Sequence, residues 1–501
     1  MKRFWNVFSL VLLVTLLLTS STMAANEVII GSPADARTLF AMKFIDLATH
    51  DPISNIYDPL ITRDRDTMEY IGHLAKGWEV LDDLTWEFYL HEGIKFHNGA
   101  PFNAEAVKFT IDYINDPENE MAYRGRYSPI HTVEIIDDYT VRFHTSEPMP
   151  ILLDRLTSCY ILEPGYVREV GEEYASLNPI GTGPYKFTRW AQGQEIVMER
   201  FEDYWLGTPE VERVVFRPIP EFSTRVAALL VGEIHVIRDV PGHMVDRVNS
   251  GRRTEVRGIP SSRVNYIALV NFQEGPLQSK EVRQAFNYAV NVPELIEFVL
   301  DGSGTQMAGC LSVLNPDHDP SLEPYPFDPE KAVQLIRDAG YEPSELKLTL
   351  DSPDGRYPQD REVAMAIADQ LGEIGIDVSV RVNEWGTHLD RIINRNTGEM
   401  FLLGWGPAFN AQGTIESLMS TERTYSGFGL PWLDEMIADA VGLVDPDEMR
   451  EAWDEIQQIV YDEAPWIFLW QQHDLWGVNV DLDWTPRADE RVLGFEMRWN
   501  D

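Results

Sequence analysis

Positive charge is what this sequence is short of. Its 501 residues carry 41 Lys and Arg against 81 Asp and Glu, a formal net charge of −40. That imbalance excludes nucleic acid as a partner, because phosphate binding needs the opposite sign. The acids are scattered, as in DYTVRFHTSEP and DLDWTPRADER, so they do not form an acidic tail. Repulsion of this size destabilises a compact chain at low salt, and at molar salt, where the Debye length is about 3 Å, it is screened. An ion-rich exterior is expected. Cysteine is scarce too: Cys159 and Cys310 stand 151 positions apart. One possible pair in so long a chain excludes a disulfide framework, and two free thiols are expected. No GxSxG elbow, HExxH pair, GxxxxGK loop or GxGxxG fingerprint occurs, and the eleven histidines are dispersed. No catalytic residue, metal site or cofactor is therefore assigned. One more absence is local. Met400–Ile415, around LLGWGPAFNAQG, holds no ionisable side chain in a chain that is 24% charged.

What is present begins at the N-terminus. Lys2 and Arg3, an apolar run over Val7–Leu18 and small residues ending at Ala24 have the layout of a secretory signal peptide, residues 1–24. The apolar run is short for a bilayer span. No cysteine stands there to take a lipid, and no later run resembles a membrane span. Cleavage removes two bases, leaving 81 acids against 39 bases, or −42, in an exported, soluble protein. The length predicts two to four domains, packed together because no Ser/Gly linker separates them.

NEVIIGSP reads as a first strand, and Asn103 caps a helix carrying Val107, Ile111 and Ile114 on one face. Strands are predicted over 85–96 and 140–148, so that 60–181 mixes short strands with few helices and reads as a subdomain. From about 265 the pattern is regular α/β. VNYIALVNF (264–272) is a strand, and helices follow from Ser279 and from Asp328-Pro329-Glu330. LKLTL (346–350), a helix through Val363–Ile374 and IDVSVRV (376–382) make a βαβ unit with parallel strands. A long helix bearing Trp453 and Ile456 precedes the apolar APWIFLW (464–470).

Several segments, taken in order, resemble one family. They are NIYDPLITRD (55–64), LAKGWEVLDDLTWEFYLHEGIKFHNGAPFNAEAV (74–107), PIGTGPYKF (179–187), VRQAFNYAVN (282–291), FDPEKAVQLIRDAGY (327–341), GRYPQDREVAMAIADQLGEIGIDV (355–378) and the Gly-Trp stretch. The set is similar to the extracytoplasmic solute-binding proteins of peptide-type ABC importers, which bind dipeptides, oligopeptides, glutathione or nickel. The resemblance implies an α/β, two-lobed periplasmic-binding-protein fold of type II, with an extra subdomain in lobe I and the ligand in the cleft between lobes. It implies lobe I over 25–263 with the subdomain at 60–181, lobe II over 264–469 and a return to lobe I over 470–501. The crossings are expected near Val264–Asn271 and Phe468–His473, as hinges that close on a ligand. A periplasmic monomer is expected, delivering a short or modified peptide, or an oligosaccharide, to a membrane ABC permease.

The candidate ligand residues follow from residue chemistry and family position together. Trp405 offers a flat apolar face with one donor, and Gly404 and Gly406 let backbone approach a ligand. Arg356, next to Tyr357 in GRYPQD, can clamp a carboxylate or else pair with Asp354 or Asp360 on the surface. Trp385 in NEWGTHL and Tyr425 in TYSGF are further candidates, and Asn271, which follows the crossing strand, is expected to face the cleft. Peptide-binding relatives carry an aspartate shortly after the Gly-Trp that holds the ligand's α-amino group. This chain has none there, and Asn410 is the nearest polar substitute. A second uncharged stretch, 302–316, reinforces the expectation of a neutral cleft wall. Two other readings stay open: a secreted hydrolase with a Trp-lined cleft, and a chemoreceptor-coupled binding protein without transport.

Overall fold

Two strands longer than any others organise the chain. Thr254–Leu269 and Trp466–Asn479 pair antiparallel over almost their whole length, from Thr254 opposite Asn479 to Ala268 opposite Trp466. The structure is a computed structural model that describes residues 26–44, 46–272, 274–406, 408–421 and 423–500; the expected signal peptide lies outside the described residues. Strands add to both ends of the long pair and make one sheet of eleven. At the Thr254/Asn479 end lie Val236–Ile237, Glu27–Ser32, Arg213–Pro218, Glu195–Arg200 and Tyr185–Ala191. At the other end lie Met400–Trp405, Lys347–Pro353 and Asp377–Asn383, with Gly304–Gln306 on the far side of Trp466–Asn479.

The registers fix the direction of each group. Val236–Ile237 runs antiparallel to Trp466–Asn479 and parallel to Glu27–Ser32, which is parallel to Arg213–Pro218. Met400–Trp405 runs antiparallel to Thr254–Leu269, with Trp405 opposite Val264, and parallel to Lys347–Pro353. The parallel strands of each half therefore point their carboxyl ends at the other half, across the middle of the long pair.

Each half has its own core, so the molecule is a two-lobed α/β protein. In the first lobe, Val28, Ile30 and Phe216 join one buried cluster with Phe88 and Phe143 of a separate four-stranded sheet. That sheet has the order Ala75–Asp82, Thr85–Leu90, Thr140–Thr145, Ile130–Asp137 and is all antiparallel. Its cover is the helix Ala104–Asn115, whose N-cap Asn103 accepts from Glu105 and Ala106 and whose Val107, Ile111 and Ile114 are buried. In the second lobe both sheet faces are covered. Ile267, Leu269, Leu350, Ile367 and Leu402 pack on one face; Val264, Tyr266, Phe401, Leu403 and Trp466 pack on the other. Lys347–Pro353, the helix Asp360–Glu373 and Asp377–Asn383 form the parallel βαβ unit read from the sequence.

Three expectations shift. The strand placed at 85–96 stops at Leu90, and Gly93 adopts a left-handed backbone at φ 79°. The strand placed at 264–272 starts ten residues earlier, at Thr254, and ends at Leu269. Gly258 and Pro260 hide the first part from a periodicity reading. Proline is tolerated there because only one edge of this part is paired, leaving the other edge free to face its missing N–H. The return strand likewise continues to Asn479. Cys159 and Cys310 are both buried and free, and burial pushes each thiol up to about 12.

Candidate functional site

The space between the facing carboxyl ends is the candidate site, by the general rule that ligands of parallel sheets bind outside those ends. The second lobe brings three loops to it. They follow Pro353, Asn383 and Trp405, and they carry Arg356 and Tyr357, Trp385, and Gly406. The first lobe brings the residues after Ile237, which are Arg238 and Asp239.

The loop after Pro353 is shaped by Asp360. This buried carboxylate accepts from the backbone N–H groups of Gly355, Arg356, Tyr357 and Arg361 at 2.9–3.0 Å. It thus organises the loop, and the expected alternative of a surface pair between Arg356 and Asp360 does not form. The Arg356 side chain is exposed, with its guanidinium 5.0 Å over the Tyr357 ring and 5.2 Å over Trp385. Tyr357 is buried, meets Trp385 edge to face, and donates its hydroxyl to Gly404 O at 3.1 Å. Burial raises its pKa.

Gly404 and Gly406 have a reason other than ligand approach. A Cβ on Gly404 would stand 2.6 Å from the Tyr357 ring and 2.8 Å from Asn265 Oδ1. Gly406 has φ 145°, and a Cβ there would stand 2.8 Å from Arg263 Cα. Both glycines let this strand close on the crossing strand and on Tyr357. Trp405 between them is half-buried on the opposite sheet face. Its ring centroid is 5.5 Å from Tyr425, and its indole N–H donates to Gly413 O at 3.2 Å. The donor expected for a ligand is engaged, while the ring face and Tyr425 remain at the cleft end of the sheet.

Two candidates take structural roles. Asn410 caps the helix Ala411–Met419 by accepting from Gly413 N at 2.6 Å, so its oxygen is engaged within the chain. Asn271 lies past the end of the crossing strand, next to the amino end of Met400–Trp405, roughly 20 Å along the strand from the cleft at about 3.3 Å per residue. Its amide is committed at both ends to Gly429, donating to the oxygen at 3.2 Å and accepting from the nitrogen at 3.0 Å. The uncharged stretch is not isolated either. Asp317, just beyond the second neutral segment, accepts from Ala411 N at 2.7 Å, and Phe409 packs with Met68 and Ala488 of the first lobe under the Arg63 guanidinium, 4.6 Å from its ring.

Sequence reasoning missed the floor of the cleft. The long pair is irregular there, with register shifts between Pro260 and Val264 and between Asn265 and Tyr266. Arg263 sits in the first irregularity and reaches Glu490 at 3.4 Å. Arg238 pairs with buried Asp51 at 2.9 Å. Asp239 is exposed at φ 59°. Asp474, on the return strand opposite Ile259, is buried and accepts from Gln472 at 2.9 Å. Burial first and Glu490 second push its carboxyl up to about 7. The available sequence signal was the break itself, Pro260-Ser261-Ser262, inside an otherwise strand-like run. A cavity of about 600 Å³ lined by Glu27, Val231, His235, Arg252 and Trp499 opens at the amino ends of the first-lobe strands, away from this site.

Two lobes spanned by a pair of long strands, with strand ends facing a common cleft, define a ligand-enclosing binding protein. The chain belongs to the bacterial extracellular solute-binding proteins, family 5, whose middle region matches residues 69–425. It is thus the solute-binding component of an ABC importer, working outside the cytoplasm. It is 28% identical over 468 residues to a glutathione-binding protein GsiB of Pectobacterium atrosepticum, covering 90% of each chain. Among solved structures, it resembles the ABC transporter substrate-binding protein CtaP of Listeria monocytogenes with a TM-score of 0.86 at 23% identity, covering 95% of this chain and 100% of that one. It also resembles the periplasmic binding protein DppA of Helicobacter pylori in complex with the peptide STSA, with a TM-score of 0.73 at 24% identity over 95% and 98% of the two chains.

Proposed function

We propose that this protein captures a short peptide or a peptide-like thiol of the glutathione class between its lobes, and hands it as a monomer to a membrane ABC permease without chemical turnover. Arg356 carries the reading. Its guanidinium is exposed at the mouth of the cleft and held over two aromatic rings, with no ion-pair partner among the described residues. A planar cation so placed is suited to bidentate binding of a ligand carboxylate. Tyr357 and Trp385 hold it, and Trp405 with Tyr425 gives the ligand an apolar face. The stretch 400–415 itself offers no carboxylate to hold a ligand ammonium. The names of the relatives support peptides over sugars. Export by a cleaved signal peptide is part of the same reading.

Calorimetry tests it with Ala-Ala-Ala, reduced glutathione, their C-amidated forms and maltotriose. The free acids bind, amidation weakens binding at least tenfold, and Arg356→Ala has the same effect on the free acids and little on the amides. Binding of maltotriose alone, or equal affinity for acid and amide, contradicts the reading. Cleaved peptide after prolonged incubation contradicts its non-catalytic part.

A further inference from the structure

Asn265 occupies an unusual position on the crossing strand. It lies one residue past Val264, between the two register shifts that interrupt pairing with Trp466–Asn479. Irregularities of this kind re-aim a side chain and gather beside functional sites. The residue is 2% exposed, yet its amide nitrogen has no hydrogen-bond partner among the described residues. Buried amides are almost always paired, so an orphan calls for an explanation.

The neighbours do not supply the missing acceptor. Asn265 pairs with Gly404 on one side and Trp470 on the other, and its Oδ1 lies over Gly404, where a side chain would stand 2.8 Å away. Tyr357, which also lies against Gly404, already donates its hydroxyl to Gly404 O. Nothing about packing requires an amide here: the next residues inward on the same face are Ile267 and Leu269. The position is also at the cleft end of the sheet, since Gly404 and Trp405 close the strand whose carboxyl end faces the first lobe.

We propose that the Asn265 amide is a ligand-binding group that donates to a peptide carbonyl oxygen of the bound solute. This rests on the peptide reading above and deepens it. Arg356 takes the terminal carboxylate at the mouth, over Tyr357. Asn265, which like Tyr357 lies against Gly404, takes a backbone carbonyl. The glycine at 404 leaves room beside the amide, where a Cβ would stand 2.8 Å from its Oδ1. Replacing an orphan donor by an apolar group of the same shape removes a desolvation penalty from the empty protein while removing a contact from the complex. Affinity and empty-state stability therefore move in opposite directions, which a purely structural asparagine does not do.

The test uses the full ligand-free protein, Asn265→Leu as the near-isosteric variant and Asn265→Ala in case leucine is not accommodated. Each is titrated with Ala-Ala-Ala and reduced glutathione, and each is melted without ligand. The wild type binds at least one of the two peptides. Both variants bind the same peptide at least tenfold more weakly, and Asn265→Leu melts at or above the wild-type temperature. Unchanged affinity in a folded variant overturns the proposal. So does a fall of several degrees in the ligand-free melting temperature of both variants, which would make Asn265 a structural residue. A wild type that binds neither peptide removes the peptide reading and the proposal with it, whereas a wild type that binds while the variants bind equally well removes the proposal alone.

Discussion

At the scale of single residues, the cleft floor is where buried charge is least comfortable. Asp474 is 8% exposed, with Glu490, Asp239 and Arg263 as its charged neighbours and Gln472 donating to it. Its carboxyl, pushed up to about 7, lies well above the value of about 3.9 in an unfolded chain. Between those values the folded state holds more protons than the unfolded one, so this group's contribution to stability falls as pH rises from about 4 to about 7 and stays low above that. An amide in its place keeps an oxygen for Gln472 but has no charge to desolvate. Asp474→Asn is expected to match the wild type closely in stability at pH 4 and to exceed it at pH 8. Chemical denaturation at the two pH values measures this, and a difference that is the same at both would contradict the assignment. The same scale explains the glycines of the Gly-Trp-Gly stretch. They are set by the approach of Tyr357 and of the Arg263 backbone, which local sequence does not display.

At the scale of elements, what could be read from the sequence was whatever is decided locally. Caps and periodic faces placed the helices at Ala104–Asn115, Lys280–Ala289, Pro329–Asp338 and Pro446–Glu463, with Asn103, Ser279 and Asp328 as the capping residues. Alternation placed the βαβ strands. The first half of the crossing strand was not legible, because Thr254–Arg263 is polar, contains Gly258 and Pro260, and becomes a strand only by pairing with Trp466–Asn479 more than 200 positions away. The candidate site divides along the same line. Arg356, Tyr357, Trp385 and Trp405 stand at strand ends, where the sequence pattern puts them beside the cleft. Asn410 reads as a polar cleft residue only if its helix-capping geometry is overlooked, and Asn271 only if the strand's direction is. Asn265, Arg263, Asp239, Glu490 and Asp474 converge through tertiary pairing alone, so no spacing in the sequence marks them as neighbours.

At the scale of the whole molecule, two properties belong to no single element. The first is charge. With −40 spread over the chain, we expect the melting temperature to rise steadily from tens of millimolar to molar sodium chloride as repulsion is screened; a flat or falling curve would leave the acidity without an ion-rich setting. The second is the hinge. The lobes are joined by two strands whose pairing is irregular over Pro260–Val264, and each lobe holds its own core, so bending there disturbs little beyond the small cluster in which Phe409 meets Met68 and Ala488. A solute that touches Arg356 on one lobe and the floor residues on the other binds the closed arrangement better than the open one, and shifts the population towards it. Small-angle X-ray scattering of the ligand-free protein, titrated to saturation with whichever of Ala-Ala-Ala or glutathione calorimetry shows to bind, tests this most directly. The account predicts one solute per chain and a radius of gyration that falls with occupancy to a lower plateau; a radius unchanged at full occupancy would contradict it.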